Sequence, residues 1–226
     1  MRYQLICIVV AMMMPSVGRG STCYGTVAHG RLEQGVQLPK HGTNFAACST
    51  LGVQLGRTYV HDAVRDVVVA TYRELEQTAP GKTFVYGETG FAQGGQIRPH
   101  KTHQAGLSVD FMVPVLDRSG ASVPLPGDVG NKFGYGIEFD QTGKFRELSI
   151  DYEAMAEHLY QLSLSADSHK LSITRVIFDP ALTLQLLATK RGAYLGQHLH
   201  FMKERPWIRH DEHYHVDFAT PCRPLH

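Results

Sequence analysis

The sequence predicts a single α+β domain in which helices flank a central antiparallel β-sheet, and three observations support this fold class. A length of 226 residues is enough for one substantial core. The hydrophobic fraction of 43% and the charged fraction of 19% are those of an ordinary globular protein. Strand-like and helix-like stretches follow one another without a regular βαβ rhythm, which favours an antiparallel sheet.

The N-terminus has the features of a secretory signal peptide. Arg2 precedes the apolar run from Leu5 to Met14, and small residues follow up to Gly20. The run is shorter than the about 20 apolar residues that a membrane-spanning helix needs. We therefore expect residues 1–20 to be a signal peptide, the mature protein to lack a membrane span, and the protein to be periplasmic or secreted. A buried N-terminal helix or strand is the alternative.

One long helix is predicted in the first half of the remaining chain. Residues 21–43 are rich in glycine, threonine and turn formers, which indicates an irregular N-terminal arm. Residues 58–78 predict a helix, because their apolar side chains recur at spacings of three and four. Pro80 and Gly81 end that helix, and residues 83–87 form a strand.

The second half contains two more helices and most of the predicted strands. Asp151 is the N-cap of a helix over about residues 152–165. Asp179 and Pro180 begin another helix, which Gly192 ends. The predicted strands are residues 106–114, 135–140, 173–179 and 213–219.

The first and the last strand of this set carry the side chains that are best suited to catalysis or metal binding. Alternation along a strand places Asp110 on the polar face of the first strand, and places His213, His215 and Asp217 on the polar face of the last. If the two strands are neighbours, Asp110 and His215 face one cleft. His103, in the turn before the first strand, can close over that cleft.

Two histidines and one aspartate form a ligand set that suits Zn²⁺. Three protein ligands leave a fourth position for water, which is the pattern of a catalytic zinc site. Zinc would lower the pKa of that water and polarise a carbonyl group. The set contains no cysteine, which argues against a zinc finger.

The motifs around these residues extend well beyond the ligands. "HQAGLSVDF" has the pattern H-x6-D, and residues 210–215 read H-x-x-H-x-H. "GGQIRPHKT" precedes the first motif, and "PW" and "PCRP" flank the second. With these features, the chain from about Asn44 to Cys222 resembles the LAS metallopeptidases, and among them it is similar to the penicillin-insensitive murein endopeptidases. The resemblance implies a zinc peptidase domain over residues 44–226, with the zinc cleft on the sheet.

The resemblance also implies a role for each histidine of the cluster. His213 becomes the catalytic residue beside the water, either as a base or as a stabiliser of the oxyanion. His210 becomes a further catalytic histidine of the cleft. The implied zinc ligands are His103, Asp110, His215 and His100, of which His100 is either a ligand or a residue lining the cleft.

The activity that the resemblance implies is hydrolysis of the peptide cross-links of peptidoglycan by an exported zinc endopeptidase. The alternatives are a catalytically inactive zinc-containing binding protein and a secreted antibacterial hydrolase. Whether a D,D or an L,D bond is cut stays open, as does the oligomeric state. The formal net charge of +1 gives no indication of a nucleic-acid partner.

Three further residues are weighed against this pattern. Asp217 is a departure from the resemblance, which leads us to expect a basic residue there. His198 and His200 form a second H-x-H in "QHLHF". Because their neighbours do not match the motif, we expect both to lie at the rim of the cleft or in a loop, away from the metal.

Cysteine usage is compatible with export. Cys7 would leave with the signal peptide, so that three cysteines remain and one is left over. The residues alone do not assign the pair. The resemblance implies a disulfide between Cys48 and Cys222, with Cys23 free or paired between chains.

Overall fold

A computed structural model describes residues 20–204, 206 and 208–225. The predicted signal peptide, up to residue 19, lies outside the described residues. Among the described residues, no helix combines the length and the apolar character needed to cross a lipid bilayer. The helices are α1 (Thr50–Gln54), α2 (Asp62–Thr78), α3 (Tyr152–Ser168), α4 (Pro180–Leu187) and α5 (Gly192–His198).

The strands are short and form several sheets. In chain order they are β1 (Thr22–Thr26), β2 (His29–Glu33), β3 (Val36–Gln37), β4 (Phe45–Ala47), β5 (Tyr59–Val60), β6 (Phe84–Tyr86), β7 (Ser108–Met112), β8 (Val115–Leu116), β9 (Ser122–Val123), β10 (Lys144–Phe145), β11 (Leu148–Ile150), β12 (Ser172–Ile177) and β13 (His213–Ala219). The α+β class that the sequence predicts is confirmed.

The largest sheet has five strands in the order β12-β13-β7-β6-β4. Its neighbours are antiparallel except for β4 and β6, which pair in parallel. The prediction of an antiparallel sheet is therefore wrong at this edge. The chain leaves β4 through α1 and α2 before it enters β6, and such a helical crossover returns a strand in the same direction.

Helices α2 and α3 pack against each other and cover the apolar face of this sheet. The predicted periodicity of α2 is confirmed, because its buried side chains include Val64, Val68 and Leu75. Asp151 caps α3 by accepting a hydrogen bond from Ala154 N at 3.0 Å. The ring of His158 on α3 packs 4.6 Å from that of Phe111 on β7.

Three predicted elements differ most from the structure. Residues 59–60 form β5, which pairs with β3, so that helix α2 begins only at Asp62. Residues 135–140 are not a strand, and the amide of Phe139 in this segment donates to the Asp211 carboxylate. Gly192 begins α5 and does not end α4. Its backbone passes so close to the Leu187 carbonyl that a Cβ atom would lie 1.9 Å from that oxygen.

The N-terminal residues are more ordered than their composition predicts. Strands β1 and β2 form an antiparallel hairpin where the sequence indicates irregular backbone. Cys23 on β1 forms a disulfide with Cys222, 199 residues away, and Cys48 has no disulfide. The implied Cys48–Cys222 bridge is therefore wrong. The reason is a backbone contact: Arg223 N donates to Cys23 O at 2.9 Å and brings Cys222 alongside β1.

Candidate active site

The two polar strand faces that the sequence singles out meet at the centre of the five-stranded sheet. Strands β7 and β13 are antiparallel neighbours, and in their register His215 lies directly opposite Asp110. Both side chains are buried, with exposed fractions of 3% and 0%. The predicted neighbourhood of Asp110 and His215 is confirmed.

Three candidate ligand atoms form a compact triangle. Asp110 Oδ1 lies 2.9 Å from His215 Nδ1 and 3.2 Å from His103 Nε2, and the two ring nitrogens are 3.1 Å apart. A tetrahedral zinc ion with ligand bonds of about 2.0–2.1 Å would separate its ligand atoms by about 3.3–3.4 Å. The nitrogen and oxygen atoms present therefore fit a small ion that prefers tetrahedral coordination.

His103 is aimed at this triangle by its backbone and by one hydrogen bond. Its φ of 69° lies in the left-handed region, which is rare for a residue other than glycine and costs free energy. Nδ1 lies 3.0 Å from the carbonyl oxygen of Thr89. Since a carbonyl only accepts, Nδ1 carries the proton and Nε2 offers its lone pair to the centre.

His100 lies at the edge of the same cluster. Its Nδ1 is 3.6 Å from Asp110 Oδ2, while its Nε2 donates to Glu88 Oε2 at 2.7 Å. Arg57 in turn holds Glu88 through two hydrogen bonds. The ligand atoms of His100, His103 and Asp110 all lie within 4.8 Å of one another, so that this triad could also hold a metal ion.

Asp217, where the resemblance leads us to expect a basic residue, lies within the cluster. Its Oδ1 lies 2.7 Å from His215 Nε2, and its other contacts are Ser108 and Arg175. Because the carboxylate accepts from Nε2, the Nδ1 atom of His215 faces Asp110. A carboxylate behind a histidine is a common arrangement at metal centres, because it orients the ring and makes it more basic.

His213 lies beside the triangle without belonging to it. Its Nε2 is 3.8 Å from Asp110 Oδ2, and its Nδ1 is 2.9 Å from Glu212 Oε1. The ring of His210 packs 4.5 Å from that of His213, with Nδ1 donating to the Ile208 carbonyl at 2.7 Å. The structure thus brings both candidate catalytic histidines together at the cluster.

Burial and neighbouring charges have opposite effects on the pKa values of Asp110 and His215. Burial disfavours the carboxylate of Asp110, but the surrounding histidines, His103 first, hold its pKa well below the usual value. Burial also disfavours a charge on His215, whereas Asp217 and Asp110 raise its pKa to about 9. An anion at the centre of an imidazole cluster suits a bound cation.

At the candidate catalytic histidines, His213 and His210, the effect of burial on the pKa outweighs that of neighbouring charges. Burial lowers the pKa of His213 to about 4 and raises that of the Glu212 carboxyl to about 8. Burial likewise lowers the pKa of His210 to about 4. Burial thus favours the uncharged form of both groups at the 2.9 Å contact between Glu212 Oε1 and His213 Nδ1.

A cavity of about 470 Å³ opens beside the cluster. His100 and the two candidate catalytic histidines, His210 and His213, line it. Most of its exposed wall is apolar, and two cations, Arg57 and Lys132, also line it. The fully buried His103 and Asp110 lie behind this wall, and Asp110 Oδ2 accepts from Tyr135, another lining residue, at 2.9 Å.

The second H-x-H lies outside the cluster. His198 is exposed at the end of α5, where its ring stacks on Tyr194 with centroids 4.0 Å apart and Nδ1 contacts the Tyr194 carbonyl. His200 is exposed as well and lines a separate shallow depression with Arg175. The structure therefore keeps the two H-x-H motifs apart.

Comparison with known proteins assigns the chain to a family. The family profile described as penicillin-insensitive murein endopeptidase matches residues 23–224. The chain belongs to the penicillin-insensitive murein endopeptidase family. It is 23% identical over 221 residues to a penicillin-insensitive murein endopeptidase from Haemophilus influenzae, a match that covers 92% of this chain and 67% of the relative.

Sequence reasoning missed several residues that shape the candidate site. Glu212 follows Asp211 in "HDEHYH", and nothing in strand alternation predicts that its carboxyl turns back onto His213. Glu88 lies outside the histidine motifs, and its carboxylate holds His100. Tyr135 comes from a segment predicted as a strand, and its hydroxyl both donates to Asp110 and accepts from Glu88 N at 2.8 Å.

Proposed function

We propose that this chain is an exported zinc-dependent endopeptidase that hydrolyses the peptide cross-links of peptidoglycan. The observation that carries the proposal is the triangle of His103 Nε2, Asp110 Oδ1 and His215 Nδ1, with sides of 2.9–3.2 Å. Family membership supports the peptidase activity and the peptidoglycan substrate. The ion held by these three residues would supply an acidified water and a polarised carbonyl.

His213 is the group that handles the proton in this proposal. Its ring is 4% exposed, lines the cavity and lies beside Asp110 on the substrate side. Glu212 contacts Nδ1, so that Nε2 is the atom left to face the reacting groups. From that position Nε2 can accept a proton during attack or donate one to the developing charge. His210 supports the ring by packing against it, and lines the same cavity.

His100 is proposed to line the cleft next to the zinc site, with its Nδ1 available to the ion. Its ring lines the cavity, and its Nδ1 faces Asp110 at 3.6 Å. The Arg57–Glu88 pair fixes the orientation of the ring through Nε2.

The apolar wall of the cavity suits a peptide stem better than a polar glycan strand.

The disulfide and the apolar N-terminal segment support export. The Cys23–Cys222 disulfide is of the kind that persists in oxidising compartments such as the periplasm. The apolar segment at residues 5–14 has the length of a signal peptide core.

The test is digestion of purified cross-linked muropeptides, followed by mass spectrometry of the products. We expect cleavage by the zinc-loaded protein, loss of cleavage after chelation, and recovery when zinc is returned. The masses of the fragments also identify the bond that is cut. A zinc-loaded protein that leaves every cross-link intact would contradict the proposal and favour a binding protein that keeps the metal site.

A further inference from the structure

Asp217 lies in a row of three side chains that crosses three adjacent strands. Its register partners are Ser108 on β7 and Arg175 on β12. Ser108 Oγ donates to Asp217 Oδ1 at 2.6 Å, and Arg175 Nε donates to Oδ2 at 2.9 Å. The carboxylate is 1% exposed. Both of its oxygens are therefore held by the neighbouring strands, and Arg175 balances its charge.

The next polar row of the sheet contains the candidate ligands Asp110 and His215. His215 Nε2 donates to Asp217 Oδ1 at 2.7 Å, and this bond directs the other ring nitrogen towards the centre. Thr102 Oγ1 also lies near Nε2, but at 3.3 Å and without a charge. A charge-assisted hydrogen bond is the stronger of the two, so that Asp217 determines the orientation of the ring.

The same row also reaches His103. Ser108 Oγ accepts a hydrogen bond from His103 N at 3.3 Å while it donates to Asp217. A continuous chain of hydrogen bonds thus runs from the strained backbone of His103 through Ser108 and Asp217 to the ring of His215. His103 and His215, two of the three candidate ligands, are therefore connected to each other on the side that faces away from the triangle.

We propose that Asp217 is a positioning residue for the metal centre, which it orders before the ion arrives by orienting His215 directly and His103 through Ser108. This inference rests on the proposed zinc site. The physical reason is that a neutral imidazole has two ring orientations and two tautomers. The hydrogen bond from Nε2 to Asp217 keeps the proton on Nε2 and directs the lone pair of Nδ1 to the centre. The resemblance leads us to expect a basic residue at this position, and a basic side chain would not accept the Nε2 proton of His215 as the Asp217 carboxylate does.

The test compares four proteins with the disulfide intact: wild type, Asp217→Asn, Ser108→Ala and Glu157→Gln. Glu157 is the control, because it forms a partly buried ion pair with Arg191, at 2.6 Å, that does not contact the cluster. Zinc affinity is measured by competition with a chromophoric chelator. In parallel, ¹⁵N-edited NMR of the zinc-loaded protein follows the Nε2 proton of His215, which a carboxylate acceptor shifts downfield and protects from exchange.

We expect Asp217→Asn to weaken zinc binding about 10- to 100-fold, the usual effect of losing such a partner. The Nε2 proton should move upfield and exchange faster. Ser108→Ala should change both readouts in the same direction by less, and Glu157→Gln should change neither. If Asp217 served stability alone, the folded variants would bind zinc like the wild type with an unchanged Nε2 proton, and that result would overturn the inference. A wild type that binds no zinc would instead refute the proposed zinc site, and the inference with it.

Discussion

Asp110 and His215 are direct partners across strands β7 and β13, with Asp110 Oδ1 2.9 Å from His215 Nδ1. The two residues are 105 positions apart in the chain, and His103 completes their triangle from the turn before β7. Because each corner contributes one ligand atom to the proposed zinc site, removal of any corner leaves two of the three atoms of the triangle.

The first prediction concerns metal binding. Each of His103→Ala, Asp110→Ala and His215→Ala should lose zinc or hold it much more weakly, because each removes one of the three ligand atoms of the triangle. Zinc content after gel filtration, measured by elemental analysis, checks this. His198→Ala and His200→Ala are the matched controls and should keep one zinc per chain. Full zinc in all three corner variants would show that the ligands are elsewhere.

The second prediction concerns His213. His213→Ala should keep zinc and fold, because its Nε2 lies 3.8 Å from Asp110 Oδ2 and outside the triangle. Turnover of cross-linked muropeptides should fall by about 10²- to 10⁴-fold, the usual range for loss of an acid–base group. His198→Ala, an exposed histidine, should retain wild-type turnover. If His213→Ala is as active as the wild type, the proton is handled by another group, with His210 the next to test.

The third prediction concerns the disulfide. Cys222→Ser removes the bridge that joins the N-terminal hairpin to the C-terminus across 199 residues of sequence. We expect the free energy of unfolding to fall by about 3–5 kcal/mol, because the unfolded chain gains conformational freedom. Urea unfolding measures the change. Cys48→Ser is the control and should leave stability nearly unchanged. Peptide mapping without reduction that joins Cys48 to Cys222 would contradict the assignment.

The fourth prediction concerns acid stability and His158. Burial among aromatic rings lowers the pKa of His158 to about 3, so that the folded protein keeps this ring neutral. The unfolded chain binds a proton there below about pH 6.5. Stability from this group is therefore present above pH 6.5 and is lost as the pH falls towards 3, by about 1.4 kcal/mol per pH unit.

His158→Phe should remove that pH dependence while retaining the aromatic packing. Urea unfolding of the chelated protein at pH 6.5 and pH 5 should show a loss for the wild type that exceeds the loss for the variant by about 2 kcal/mol. The exposed His198→Gln serves as the control and should follow the wild type. Equal losses in wild type and His158→Phe would mean that His158 is protonated in the folded state.

The periodicity of the sequence predicts which faces of the site strands are polar, and the structure confirms it. Asp110, His213 and His215 fall on the predicted faces because side-chain direction along a strand follows from local geometry alone. The prediction fails where the backbone is held by distant contacts. Residues 135–140 look like a strand, but the carboxylate of Asp211 holds the amide of Phe139 in a different arrangement.

By itself, the sequence determined the type and spacing of the candidate ligands, the family, and the helices α2 and α3, because these depend on neighbouring residues. Only the tertiary structure decided that Cys23 pairs with Cys222, that Glu212 contacts His213, and that Asp217 holds His215. These relationships depend on strand register, on side-chain rotation and on the meeting of the two chain ends. No local pattern encodes them, because each is determined by packing across the whole domain.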